Sequence, residues 1–228
     1  MQTRPKAILF GAIGTLAETS ELQRESYNAA FRDAGLDWQW HRTDYLSLLE
    51  TPGGTARIAA YAEAREEDVD AEAVHDLKVR HFEVRAREGL TPRPGVTDII
   101  AEARDGDIAL AFVTTTGRRT IDLMRDGLAG KIDFAAFDFI GHRDLVEAAK
   151  PASDIYRLAL RELGIDAGDA MAIEDTPESA QAALDAGITC IGFPGVAAAD
   201  RIFPDGVQVR ERLSPALLDL DHEAPSAA

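Results

Sequence analysis

Two adjacent carboxylates, Glu174 and Asp175, are the side chains in the sequence best placed to bind a cation or to take part in catalysis. They directly follow the apolar run Met171–Ile173, which is typical of a buried β-strand. Oxygen ligands of this kind suit a hard cation such as Mg²⁺. A plainer interpretation stands beside this one, in which Asp175 caps the helix that follows and Glu174 is solvated.

Hydroxyl and ammonium groups occur at two further points that could bind phosphate. Thr114 and Thr115 follow an apolar run, and their hydroxyl and backbone N–H groups can donate to a phosphate near a helix N-terminus. Lys150 precedes a proline at the start of a predicted helix, where an ammonium is a point charge for phosphate. Taken singly, the threonines also fit an ordinary strand-to-helix turn, and Lys150 also fits a solvated lysine.

The opening segment has the form of a strand that leads into a loop. Ala7–Phe10 is a run of four apolar residues, and Gly11 and Gly14 supply the backbone freedom for a sharp exit from a sheet. In an open α/β sheet, ligands bind beside the carboxyl ends of the strands. We therefore expect this loop to take part in a ligand site.

The elements that must position these residues fall into two groups. From Glu18 to Gly89 the pattern is helical throughout, whereas from Thr91 onward helices alternate with solidly apolar strands. The alternation predicts an α/β fold with a parallel sheet and helices on both faces. The helical block after the first strand predicts an inserted all-helical cap. The expected domains are an α/β core over 1–17 and 90–220, a cap over 18–89 and a frayed tail over 221–228.

Within the α/β part, the patterns predict individual elements. A short strand is expected at Phe137–Ile140, and a short helix is expected at Leu213–Leu220. Further apolar strands are expected at Ile108–Val113, Ala170–Ile173 and Thr189–Gly192.

The composition of the chain excludes some classes of binding partner. The formal net charge of -16 and the pI near 4.7 argue against a nucleic-acid partner, because binding to phosphate backbones needs a cationic surface. A single cysteine, Cys190, excludes an internal disulfide. No apolar run approaches the roughly 20 residues of a membrane span, and the N-terminus has no signal-peptide pattern. We expect a cytoplasmic protein without a membrane partner.

The order and spacing of the four segments resemble the four motifs of the haloacid dehalogenase superfamily. Its first motif reads Phe-Asp-x-Asp-Gly-Thr-Leu, and Phe10, Gly14, Thr15 and Leu16 match that pattern. The helical insert resembles that of the β-phosphoglucomutase-like branch. Further segments, including Pro151–Leu163, look like the CbbY-type xylulose bisphosphate phosphatases. The resemblance covers roughly residues 6 to 195 and implies a Rossmannoid core with a cap.

The resemblance also implies roles for individual residues. Thr114, Thr115 and Lys150 would bind phosphate, and Asp175 with Glu174 would contribute to a Mg²⁺ site. In the cap, Arg57 would hold a distal phosphate as a fork-shaped donor. The substrate-facing residues implied for the cap region are Glu18, Tyr45, Gly53, Gly54 and Arg57.

The chain departs from the family pattern at its two reactive positions. In the family, the first aspartate attacks phosphorus, and the second protonates the leaving alcohol and then activates water. Gly11 and Ile13 occupy these positions, and neither side chain can attack phosphorus or carry a proton. The same change removes a carboxylate ligand, which leaves the Ile13 carbonyl and Asp175, so we expect weak or absent Mg²⁺ binding.

Three hypotheses follow. The first is a catalytically impaired member of the CbbY-like branch that still binds a small phosphorylated sugar, because losing two anionic neighbours favours an anion beside Thr114 and Lys150. The second is a residual or repurposed phosphohydrolase that uses water directly, with Glu174 or Asp175 as base. The third is a non-catalytic regulatory or scaffold protein without a ligand.

Overall fold

The chain forms two compact units. A computed structural model of the protein describes residues 4–11, 13–49 and 53–219. One unit is built from the chain up to Glu18 and from Thr91 onward, and the other is Thr19–Leu90. The expected tail over 221–228 lies outside the described residues.

The first unit contains a six-stranded sheet with the order β3-β2-β1-β4-β5-β6, in which every neighbouring pair is parallel. The side chains of β1 are fully buried because β2 and β4 flank it and helices cover the sheet. This arrangement confirms the predicted α/β fold with a parallel sheet. The strands are β1 (Ala7–Phe10), β2 (Ala109–Val113), β3 (Phe139–Gly141), β4 (Ala170–Glu174), β5 (Thr189–Gly192) and β6 (Gln208–Val209).

Helices, numbered in chain order through both units, connect these strands. α8 is capped at its C-terminus by Gly164, whose φ of 66° is the left-handed conformation that glycine adopts without strain. α9 starts with Thr176 as N-cap and Pro177 in the first turn, where a missing N–H removes no helical bond. The helices of this unit are α1 (Ile13–Leu16), α6 (Val96–Asp105), α7 (Arg118–Gly127), α8 (Asp154–Leu163) and α9 (Pro177–Asp185).

Two predicted elements differ in detail. The strand expected at Phe137–Ile140 starts only at Phe139, since Phe134–Ala136 forms a 3-10 turn. Phe137 instead packs its ring against Phe10, at 6.2 Å between centroids. The helix expected at Leu213–Leu220 is a 3-10 turn over Pro215–Asp219 in the described residues.

All regular secondary structure of the second unit within its described residues, 19–49 and 53–90, is helical. Its core is aromatic: Tyr27 lies 4.7 Å from Trp40 and Phe31 lies 5.2 Å from Trp38, between ring centroids. Edge-to-face and tilted contacts of this kind stabilise aromatic cores beyond simple area burial. Its helices are α2 (Ser20–Asp33), α3 (Arg42–Leu48), α4 (Gly54–Ala64) and α5 (Ala71–Arg87).

Among the described residues, no helix combines the length and the apolar character that crossing a membrane requires.

Candidate functional site

The sheet brings three of the predicted segments together at the carboxyl ends of its central strands. In the register of the strands, Phe10 is paired with Phe112 on one side and with Ile173 on the other. The next residues along β1 and β4 are Gly11 and Glu174, and the Gly11 N–H donates to the Ile173 carbonyl at 2.8 Å. The carboxyl ends of β1, β2 and β4 therefore converge, as expected for a ligand site in an open α/β sheet.

The Lys150 ammonium makes its contacts within the protein. Its ammonium donates to the Val113 carbonyl at 2.8 Å and to the Tyr156 hydroxyl at 3.2 Å, and it forms an ion pair with Glu174. A lysine ammonium has three donors, and these three acceptors account for all of them. The side chain is only 7% exposed. Glu174 is therefore an anionic neighbour of Lys150 in the structure, and the expectation that the loss of two carboxylates favours an anion beside Thr114 and Lys150 stays a prediction.

Glu174 is fully buried, and its carboxylate lies beside Gly11. A β-carbon built on Gly11 would be 2.0 Å from Oε2 and 2.2 Å from Oε1 of Glu174. Tyr156 donates its hydroxyl proton to the same carboxylate. Burial, reinforced by the Glu174 charge, raises the pKa of Tyr156 well above its ordinary value, so the phenol remains a proton donor.

Asp175 is the second buried carboxylate of this edge, with 9% of its surface exposed. A β-carbon on Gly14 would lie 1.9 Å from its Oδ2, so the side chain packs directly on the opening loop. Its Oδ1 has no hydrogen-bond partner among the described residues. Burial and the neighbouring Glu174 charge raise the pKa of Asp175 from 3.8 to about 7, although Lys150 and Arg93 oppose the shift.

In the loop over residues 114–116, some of the hydrogen-bonding groups of the threonines are paired with each other. The Thr114 hydroxyl accepts the Thr116 N–H at 3.2 Å and lies 3.2 Å from the Thr116 hydroxyl. Thr114 is 1% exposed, whereas Thr115 is half-buried. Thr115 is thus the more accessible of the two predicted phosphate-binding hydroxyls.

Arg93 ties the opening loop to the segment after β5. Its guanidinium donates to the Gly14 carbonyl at 2.8 Å, the Phe193 carbonyl at 2.8 Å and the Pro194 carbonyl at 2.6 Å. Burial lowers the pKa of Arg93, while Asp175 and Glu18 oppose that effect. Glu18 itself accepts the Val196 N–H at 2.7 Å, so its carboxylate binds a core loop.

Ile13, at the position of the family's second aspartate, does not supply a group that could replace that aspartate. Ile13 is the first residue of α1 and is half-buried. Its side chain has no titratable group, and Glu18, the nearest carboxylate after it in the sequence, is bonded to Val196.

The donor set does not fit the Mg²⁺ ion that the family resemblance implies. Within the described residues, no group of three or more His, Cys, Asp or Glu side chains is arranged to hold a metal. The Glu174 carboxylate is engaged by Lys150 and Tyr156, and Asp175 is left as a single carboxylate with one orphaned oxygen.

The helical unit contains a separate cluster of buried basic residues. Arg57 is 7% exposed, donates to the Leu48 carbonyl at 2.7 Å and to the Tyr27 hydroxyl at 3.2 Å. Lys78 is 8% exposed, and its ammonium lies 5.0 Å from the centroid of the Tyr27 ring. No hydrogen bond or ion pair joins Lys78 to another described residue. Burial, with a further contribution from Arg57, lowers the pKa of Lys78 from 10.5 to about 8.

The remaining predicted cap residues surround this cluster or support it. Gly53 precedes α4 with a φ of 86°, and a β-carbon on Gly54 would lie 2.4 Å from Nε2 of His75. Tyr45 is 3% exposed and packs in the aromatic core, 5.8 Å from the Tyr27 ring. The structure thus places Tyr45 in the interior of the helical unit.

Sequence reasoning missed Lys78 and the role of Tyr156. The signal for Lys78 was present, because Val74, Lys78, Phe82 and Ala86 recur every four residues and all four are buried. A lysine in the middle of such an apolar stripe is unusual and points to a buried charge. Tyr156 gave no comparable signal, since its contact with Glu174 depends on the packing of α8 against the sheet.

The parallel sheet with polar side chains at the carboxyl ends of its strands places this protein among the open α/β proteins. Within that class, the chain belongs to the haloacid dehalogenase-like hydrolase family, whose model matches residues 8–193. A curated relative is the protein CbbY of Cereibacter sphaeroides, which is 41% identical over 194 residues, covering 83% of this chain and 84% of the relative.

Solved structures agree with this assignment. A mutant form of CbbY from Rhodobacter sphaeroides in complex with xylulose-(1,5)-bisphosphate superposes with a TM-score of 0.81 at 38% identity, covering 95% of this chain and 100% of that chain. CbbY from the same organism in complex with phosphate gives the same score, identity and coverage. The chain is therefore a CbbY-like member of the family.

Proposed function

We propose that this chain binds a small phosphorylated sugar and turns it over poorly or not at all. The observation that carries the proposal is Gly11: the position of the family nucleophile has no side chain, and the Glu174 carboxylate fills the space beside it. Losing a nucleophile and its acid–base partner removes several powers of ten in rate, because such residues act as a unit. Binding does not depend on that chemistry.

The basic cluster of the helical unit supports retained binding of an anion. Among the described residues, the buried Lys78 has no carboxylate partner, and such a charge costs stability, so we infer that an anionic ligand pairs with it. Arg57 adds a planar donor suited to phosphate. The crystallised CbbY relative is in complex with a sugar bisphosphate, which is the ligand class that we propose for this chain.

A residual phosphohydrolase is the second candidate, favoured by one observation. One buried oxygen of Asp175 has no hydrogen-bond partner among the described residues, and the pKa of Asp175, about 7, is close to the value that suits a general base. In that case water would attack phosphorus directly and no phospho-enzyme would form.

The proposal is tested by thermal-shift titration of the full chain with xylulose bisphosphate and simpler sugar phosphates, with and without Mg²⁺. Ligand binding to the native state must raise the melting temperature in a saturable way. Lys78→Met should abolish the shift, whereas Arg80→Met, the same charge change at an exposed position of α5, should retain it. No saturable shift with any sugar phosphate contradicts the proposal and favours a scaffold role.

Turnover separates the two candidates. Phosphate release is followed on the same panel for the wild-type chain and for the double variant Gly11→Asp, Ile13→Asp. Release in the restored variant alone supports a binding site that has lost its chemistry. Release by the wild-type chain that is lost in Asp175→Asn supports the residual phosphohydrolase.

A further inference from the structure

The space beside Gly11 is filled from the neighbouring strand. Both carboxylate oxygens of Glu174 lie within 2.2 Å of the point where a Gly11 β-carbon would stand. Glu174 is the last residue of β4 and has no exposed surface. A carboxylate thus enters from β4 the volume that a side chain on β1 would otherwise take.

This carboxylate holds the cation of the site. Lys150 uses its three donors on Glu174, Tyr156 and the Val113 carbonyl, and Tyr156 donates to Glu174 in turn. Charge and hydrogen bonds of the ammonium are therefore both satisfied internally. A phosphate that approaches Lys150 meets a negative charge already paired with it.

We propose that Glu174 is an internal anion that sets the affinity of the Lys150 site for phosphate: a phosphate reaches Lys150 only when the Glu174 carboxylate leaves it. This inference rests on the proposed phosphate-binding function and names the residue that limits it. It also gives Gly11 a role, because only a residue without a β-carbon admits the carboxylate to this position. Gly11 and Glu174 together form one steric and electrostatic unit.

The test is isothermal titration calorimetry with inorganic phosphate on the full chain without added Mg²⁺. Glu174→Gln keeps the shape of the side chain and an acceptor for Lys150 and Tyr156 but removes the competing charge. We expect it to bind phosphate about tenfold tighter or more, since a unit charge a few ångströms away in a buried site is a large repulsion. Glu178→Gln, the same charge change at a side chain 51% exposed and paired with Arg201, should match the wild-type chain.

A folded Glu174→Gln variant with unchanged or weaker phosphate affinity overturns the inference, and so does an equal gain in Glu178→Gln. Gly11→Ala tests the same contact from β1 should Glu174→Gln not fold. Its β-carbon must expel the carboxylate, so phosphate affinity should rise. Gly117→Ala, whose β-carbon meets no atom of the described residues within 4 Å, should have no effect. Unchanged binding in Gly11→Ala overturns the inference.

The outcome is separable from that of the proposed function. A wild-type chain that binds no sugar phosphate contradicts the proposed function, yet a gain in Glu174→Gln still supports the internal anion. A wild-type chain that binds sugar phosphates, together with a Glu174→Gln variant that gains nothing, overturns the internal anion alone.

Discussion

At the scale of single residues, the positive charge of Lys150 in the candidate site of the sheet is neutralised by Glu174. Lys150 and Glu174 form a buried ion pair with exposed side-chain fractions of 7% and 0%. A buried pair is costly to break from one side, because the partner left behind is an uncompensated charge. This pair therefore affects both the stability of the core and its capacity for an added anion.

Lys150→Met should lower the free energy of unfolding by about 3–5 kcal/mol, because it leaves the Glu174 carboxylate buried without its cation. Urea denaturation followed by circular dichroism measures the loss. The double variant Lys150→Met, Glu174→Gln should recover at least half of it, since neither charge remains. A single variant that loses less than about 1 kcal/mol would show that the pair is exposed to solvent.

Gly11→Ala should destabilise the protein by about 1–3 kcal/mol, the usual cost of forcing an extra methyl group into a packed site. The added carbon would stand 2.0 Å from the Glu174 carboxylate. Gly117→Ala is the matched control, because that position has open space and an extended backbone with φ -71°. Equal stability of the two variants would contradict the close contact at Gly11.

At the scale of elements, α5 combines good packing with an unfavourable charge. Its buried stripe contains Val74, Phe82 and Ala86, with Lys78 among them. The apolar residues hold α5 in the core of the helical unit, and the lysine opposes that burial while its ammonium is charged. The apolar residues of α5 and its buried lysine therefore have opposite effects on the stability of the helical unit.

Lys78→Met should stabilise the helical unit at pH 7, and the gain should shrink as the pH rises. Lys78 has a pKa of about 8 in the folded chain, against an ordinary value of 10.5 that applies when the chain is unfolded. Between these values the unfolded chain binds more protons, so wild-type stability rises with pH, by up to about 3 kcal/mol. Below pH 8 both states are protonated and the full cost of the buried charge persists.

Tryptophan fluorescence during urea unfolding measures this effect selectively, because both tryptophans of the chain, Trp38 and Trp40, lie in the helical unit. Arg80→Met controls for the loss of one positive charge at an exposed position of α5. A stability difference between Lys78→Met and the wild-type chain that stays constant from pH 7 to pH 10.5 would contradict a depressed lysine pKa.

At the scale of the whole molecule, negative charge dominates. The formal net charge of -16 resides on 40 acidic and 24 basic side chains. Self-repulsion of this kind destabilises the compact state, and it also slows the approach of anionic ligands. The basic residues at both candidate sites are therefore buried exceptions to the overall charge of the protein.

Raising NaCl from about 0.1 M to about 1 M should increase the melting temperature, because the Debye length falls from about 10 Å to about 3 Å and repulsion is screened. A variant with three exposed carboxylates neutralised, Glu63→Gln, Asp126→Asn and Glu162→Gln, should show a smaller increase over the same range. If the melting temperature of this variant increases as much as that of the wild-type chain, or more, screening of the net charge is not the cause of the increase.

The sequence by itself determined the parallel α/β fold, the helical character of the insert and the absence of a carboxylate side chain at Gly11 and Ile13. These features depend on local hydrophobic patterns and on residue identity, which are read directly from the chain. The order of four polar segments after apolar strands likewise indicated which loops would meet.

Only the tertiary structure decided what those side chains do. Glu174 could be a metal ligand, a base or a solvated residue until the packing of β4 beside β1 placed its carboxylate over Gly11. The three acceptors of Lys150 and the aromatic neighbours of Tyr45 likewise became known only from the tertiary structure. Side-chain contacts between segments far apart in the chain depend on packing and exclusion of water, and no local pattern encodes them.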